Sequence, residues 1–119
     1  MLLFAQIVTA IVLLIHVYIV LLETVLFPSR GRRVFGLSAE KAEIVKPAMS
    51  NQGCYNGFLV AALAVGLLHP DPAVARAFTT YGLLCVAVAG IWGGLTVSKR
   101  IIFVQTVPAL LGLALLAAA

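Results

Sequence analysis

A few polar residues recur inside long apolar runs, at spacings that place them on shared helical faces. Thr9, His16 and Glu23 are seven apart, two helical turns each, so they share one stripe from which Tyr18 is displaced. On it Glu23 has the chemistry of an acid/base or of a cation's partner. His16, with an unperturbed pKa near neutrality, suits a proton relay. A second run holds Asn51, Gln52, Tyr55 and Asn56. The i,i+4 rule stacks Asn51 over Tyr55 and Gln52 over Asn56, and each amide both donates and accepts hydrogen bonds. Further on come Trp92, Thr96 and Gln105, the last followed by Thr106. These residue types suit the binding of a polar headgroup: Glu23 and His16 for protons or charge, Asn51, Gln52, Asn56 and Gln105 for orientation, Tyr55 and Trp92 as walls.

The elements that must carry them are apolar throughout. Hydrophobic residues make up 63% of the 119-residue chain and charged residues 10%, against about 25% charged in soluble domains. Residues 1–22, 47–70, 77–98 and 101–119 contain no Asp, Glu, Lys or Arg. About 20 mostly apolar residues cross a bilayer core. The expectation is therefore an all-α integral membrane four-helix bundle, a single membrane domain over 1–119, with spans at about 2–27, 47–68, 73–97 and 101–118. Barrel strands alternate polar and apolar residues, and Leu59 to Leu68 does not. The first segment has no basic n-region and no small-residue cleavage site, so it reads as a retained helix rather than a signal peptide.

Pro28-Ser29-Arg30-Gly31 is a turn signal that ends the first helix and opens a loop over 28–46. Within it Ser38 reads as an N-cap, with Glu40 in the first turn, and a short interfacial helix is expected to turn or kink at Pro47 into the second span. His69-Pro70-Asp71-Pro72 and Ser98-Lys99-Arg100 are tight connections, which make neighbouring helices antiparallel. Pro108 is expected to bend the last span. Seven of the eight basic residues flank the first and third connections, and only Arg76 flanks the second. The positive-inside rule then places 28–46 and 98–100 in the cytoplasm and both termini outside, in a plasma (inner) membrane crossed several times. These charges answer to membrane orientation, not to nucleic acid. Cys54 and Cys85 fall within spans without CxxC spacing, so they read as buried small side chains, with neither a metal nor another cofactor implied.

With the helices so oriented, Glu23, Asn51, Gln52, Tyr55, Asn56, Trp92, Thr96 and Gln105 fall toward the inner leaflet, with His16 as a floor. A charged residue at a span's centre costs about 2.5–3.5 kcal/mol on insertion scales, so such groups are expected to face inward and find partners. Self-satisfied interhelical hydrogen bonding and a ligand pocket both fit this clustering. Gly53/Gly57 and Gly90/Gly94 are GxxxG pairs that permit close helix approach, inside the bundle or at a homodimer seam.

Leu-Leu-Glu at 21–23, Arg-Arg-Val-Phe-Gly-Leu-Ser at 32–38 and Asn-Gln-Gly-Cys-Tyr-Asn-Gly-Phe-Leu at 51–59, together with Gln105 to Ala109, resemble a family of small membrane proteins designated domain of unknown function 1304. The resemblance implies four spans and a bacterial inner-membrane setting, and no established reaction. From the residues, three functions compete: binding or processing of a small amphipathic or lipid-like molecule in an inner-leaflet pocket, proton-coupled transport through Glu23, and service as a structural or accessory subunit. Whether the protein is an enzyme stays open.

Overall fold

The computed structural model describes residues 1–119. Its secondary structure is helical throughout, with no strand. Helix α1 (Leu2–Glu23) runs for 22 residues without a Gly or Pro to interrupt it. It gives way at Thr24–Leu26 to a π-helical turn, Phe27–Gly31. Pro28 enters near the start of that turn, where its missing N–H is no loss. Gly31 closes it, with its N–H donating to the Leu26 carbonyl at 2.7 Å. A side chain at Gly31 would collide with the Leu22 carbonyl oxygen. Helix α2 (Arg32–Val34) follows directly. It ends on Gly36, whose φ of 69° lets Leu37 N–H reach the Arg32 carbonyl at 2.9 Å, a Schellman-type stop.

Helix α3 (Ala39–Leu68) is 30 residues long, about 45 Å at 1.5 Å per residue. Ser38 caps it, its Oγ accepting the Lys41 N–H at 3.2 Å. Two sequence expectations change here. The segment after Phe27 is helical through Val34 rather than an open loop from residue 28. There is also no separate interfacial helix, because α3 passes through Pro47 uninterrupted. Pro47 deprives the Glu43 carbonyl of its donor. Both residues are exposed, so that carbonyl can find a partner outside the helix. Asp71 caps helix α4 (Pro72–Thr96) by accepting from Ala73 N–H and Val74 N–H at 2.8 and 3.3 Å. A second π-helical turn, Ile102–Thr106, precedes helix α5 (Val107–Ala117). It falls just before Pro108, where a wider turn relieves the clash of the proline ring with the carbonyl four residues back.

The chain divides into two compact units, one of Met1–Ile15 with Leu59–Ala119, the other of His16–Phe58. In the first, Val12 of α1, Leu63 of α3, Leu83, Val86 and Ala87 of α4 and Ala109 of α5 form one core. Gly66 lies so close to α4 that a Cβ would sit 2.8 Å from Thr79 N, and one on Gly90 would sit 2.7 Å from Thr106 N. Beside Gly90 the buried Thr106 Oγ1 donates to the Ala87 carbonyl at 3.0 Å. Small residues here let the helices approach closely enough for a side-chain hydroxyl to reach a neighbouring backbone carbonyl.

The apolar surface is larger than the core. Eleven hydrophobic residues are buried, whereas 29 large ones are exposed, from Leu3 and Leu14 to Leu95, Phe103 and Leu110. A soluble monomer rarely exposes so much contiguous apolar surface. Helices α1 and α4 are long and apolar enough to cross a membrane, and Ile102–Ala117 is a shorter apolar stretch. Helix α3 carries Glu40, Lys41, Glu43 and Lys46 in its first turns and three amides before its apolar end.

Candidate functional site

The polar stripe of α1 faces inward. Thr9 and His16 are fully buried and Glu23 is 6% exposed. Thr9 Oγ1 donates to the Ala5 carbonyl of its own helix at 2.7 Å. The Ala5, Thr9, Val12, His16 and Glu23 positions are all buried, the alternating three- and four-residue step of a packed helical face.

Glu23 and Asn56, both in the His16–Phe58 unit, are brought together: Asn56 Nδ2 donates to Glu23 Oε1 at 2.6 Å. Asn56 is itself buried. One turn earlier on α3, Gly53 makes the approach possible. A Cβ there would meet Thr24 Cγ2 at 2.6 Å and Glu23 Cβ at 3.3 Å. The sequence Gly53-x-x-Asn56 thus supplies a gap for α1 and, one turn on, a donor for its terminal carboxyl. Gly57, the other half of that GxxxG, has open space where a side chain would go. Gly94 of the second pair sits against Ile102 of the same chain.

The remaining candidates part from this pair. Asn51, Gln52, Tyr55 and Cys54 are exposed on α3, and Tyr55 stacks edge-on to Phe58 with centroids 5.7 Å apart. Trp92, Thr96 and Gln105 belong to the other unit. Trp92 is 71% exposed and Tyr55 59%, so both project outward instead of walling a cavity. Thr96 Oγ1 donates to the Trp92 carbonyl of its own helix at 2.8 Å, and Gln105 is half-buried beside the buried Thr106. Cys54 is exposed rather than buried, and Cys85 is half-buried.

The arginines after α1 do not reach Glu23. Arg30 Nε donates to the Tyr18 hydroxyl, with its guanidinium 5.6 Å above the Tyr18 ring. Arg32 Nη1 donates to the Leu37 carbonyl at 3.3 Å. The Tyr18–Arg30 contact escaped the sequence reading because the π-helical turn, which carries Arg30 back along α1, has no periodic signature. No group of His, Cys, Asp and Glu is arranged to hold a metal ion.

Chemically, the site is a carboxyl group at a helix end held by one amide donor, with a glycine contact fixing its register. No curated protein sequence and no solved structure matches the chain significantly. Over residues 10–117 it matches the family model described as "Protein of unknown function (DUF1304)", and it belongs to that family, as the segments at 32–38 and 51–59 led us to expect.

Proposed function

We propose that this is an integral membrane protein, one membrane domain with four spans and both termini outside, that binds a small amphipathic or lipid-like molecule at the inner leaflet. The Glu23–Asn56 pair is its polar centre. The observation that carries the membrane part is the reversed distribution of apolar side chains, 29 large ones exposed against eleven hydrophobic residues buried. Lipid removes the cost of that surface. The binding part is supported by the buried hydrogen bond of Glu23 with Asn56. A carboxyl inside a membrane domain is expensive and marks function by default. Asn51, Gln52 and Tyr55, exposed on the same stretch of α3, would meet the ligand's polar part from the bilayer side. Glu23 then accepts a hydroxyl or ammonium hydrogen, and the ligand's chain lies along Phe58 and the apolar end of α3.

The test uses the full chain in a neutral detergent. A panel of single-chain amphiphiles bearing hydroxyl, ammonium or phosphate heads is screened by melting temperature. A hydroxyl or ammonium amphiphile is expected to raise it, with the effect lost in Glu23→Gln and in Asn56→Ala. Equal responses of these variants and the parent to every amphiphile would remove Glu23 from the reading. Release of the protein from membranes by alkaline carbonate would remove the membrane part.

A further inference from the structure

The structure sorts the arginines after α1 into two that are engaged and one that is not. Arg30 is committed to Tyr18 by a hydrogen bond and by stacking, and Arg32 to the Leu37 carbonyl. Arg33 is exposed, and so are Lys41 in the first turn of α3 and Lys46 in its second. Around them are exposed apolar side chains: Val34 at 51%, Phe35 at 39% and Ile44 at 73%. Phe35 is not adrift, since its ring packs on the buried Phe27 with centroids 6.4 Å apart. The Gly36 stop fixes the reversal between Arg33 and the start of α3. Within 27–46 five basic residues stand against two acidic ones, Glu40 and Glu43. Cations interleaved with anchored apolar side chains are the pattern of a surface that lies in a headgroup layer.

We infer that the α2–α3 connection is a docking surface for anionic phospholipid headgroups, with Arg33 and Lys41 as its phosphate-facing cations and Val34 and Phe35 as its apolar wedge. A phosphodiester supplies the charge that exposed guanidinium and ammonium groups complement. The adjoining acyl region accepts Val34 and Phe35, which a free phosphate or a water-soluble acidic partner would leave in water. The inference rests on the membrane reading above and not on a ligand at Glu23.

The full chain in neutral detergent is titrated with short-chain phosphatidylglycerol, with phosphatidylcholine of the same chain length, with inorganic phosphate and with poly-glutamate, following melting temperature at low salt. Only phosphatidylglycerol is expected to stabilise. One basic residue near an anionic surface contributes about fivefold in affinity, so Arg33→Gln and Lys41→Gln should each weaken the response by about that factor. Arg33→Lys, which keeps the charge, should retain it, and Glu40→Gln should strengthen it. Arg30→Gln should lower the melting temperature of the lipid-free protein and weaken the lipid response less than Arg33→Gln. Arg33→Gln should weaken the phosphatidylglycerol response by the same factor in a Glu23→Gln background as in the parent, which separates this surface from the proposed ligand site. Equal stabilisation by phosphatidylcholine overturns the inference. So does reproduction of the effect by phosphate or poly-glutamate, or full response in the Arg33→Gln/Lys41→Gln double variant.

Discussion

Asn56→Ala is the most informative substitution, because it removes the one donor that Glu23 Oε1 accepts from, at 2.6 Å. Two magnitudes compete. Interhelical hydrogen bonds in membranes average about 0.6 kcal/mol and reach about 1.7. A hydrogen bond to a charged group is valued at about 1.5–3 kcal/mol, and a buried acceptor left without a partner at about 1–3 kcal/mol. Glu23 is only 6% exposed, so water does not readily replace the lost amide, and the second magnitude governs. Asn56→Ala should therefore cost about 2 kcal/mol, a change of roughly thirtyfold in the unfolding equilibrium. Glu23→Gln keeps an acceptor oxygen at the same position and should cost less than half of that. Glu23→Met strands the amide instead. The Glu23→Met/Asn56→Ala pair should then lose less than the sum of its singles, by about 1–1.5 kcal/mol. Reversible unfolding in mixed micelles, or steric trapping in bicelles, measures all four corners. Additivity within about 0.5 kcal/mol would show that the bond does not hold the helices, and the site would lose its physical basis.

Four further substitutions test the helix contacts. Gly53→Ala should destabilise by about 1–3 kcal/mol through overpacking, because its Cβ would fall 2.6 Å from Thr24 Cγ2. Gly57→Ala, with open space at its Cβ, should be neutral or stabilising by up to about 1 kcal/mol, and the same unfolding assay compares the two. Gly90→Ala should be worse than Gly53→Ala, since its Cβ would meet the Thr106 backbone nitrogen at 2.7 Å and a backbone cannot rotate aside. Thr106→Val, which removes the donor to the Ala87 carbonyl, should cost about 1 kcal/mol.

What could be read from residues was what helical period controls. The seven-residue recurrence of Thr9, His16 and Glu23 is a geometric statement, and all three are buried. The amides were harder. Asn51, Gln52 and Asn56 spread around more than a third of a helix's circumference, so composition alone does not say which faces inward. The deciding signal was Gly53, three residues before Asn56 and ten before the fully buried Leu63. That spacing marks the contact face and excludes Asn51. Trp92 and Tyr55 are grouped with the amides by their level along the helices, which says nothing of the face they occupy, and both are exposed. The π-helical turns at Phe27–Gly31 and Ile102–Thr106 had no sequence signature, since the register shift they introduce falls in segments too short or too uniformly apolar to show a face. Pro47 does not divide α3, and the Glu43 carbonyl it orphans is on the exposed side of the helix.

The depth of the site follows from the same contacts. In the proposed membrane arrangement the 22 residues of helix α1, about 33 Å, match a hydrocarbon core of about 30 Å, which would put its last residue, Glu23, at the edge of that core. Gly53 abuts Glu23 and Thr24 and would therefore lie at the same edge. The exposed Asn51 and Gln52 would then stand just outside it, at the headgroup level, where they can meet a ligand's polar part. Phe58, exposed seven residues beyond Asn51, would stand about 10 Å deeper at 1.5 Å per residue, in lipid. In a variant lacking Cys54 and Cys85, a cysteine placed at Asn51 should react quickly with a membrane-impermeant maleimide from the cytoplasmic side, and one at Phe58 should not. Equal protection at both positions would sink Glu23 into the hydrocarbon, and equal reactivity would take Phe58 out of it. Either result breaks the alignment of α1 with the bilayer on which the ligand's approach to Glu23 depends.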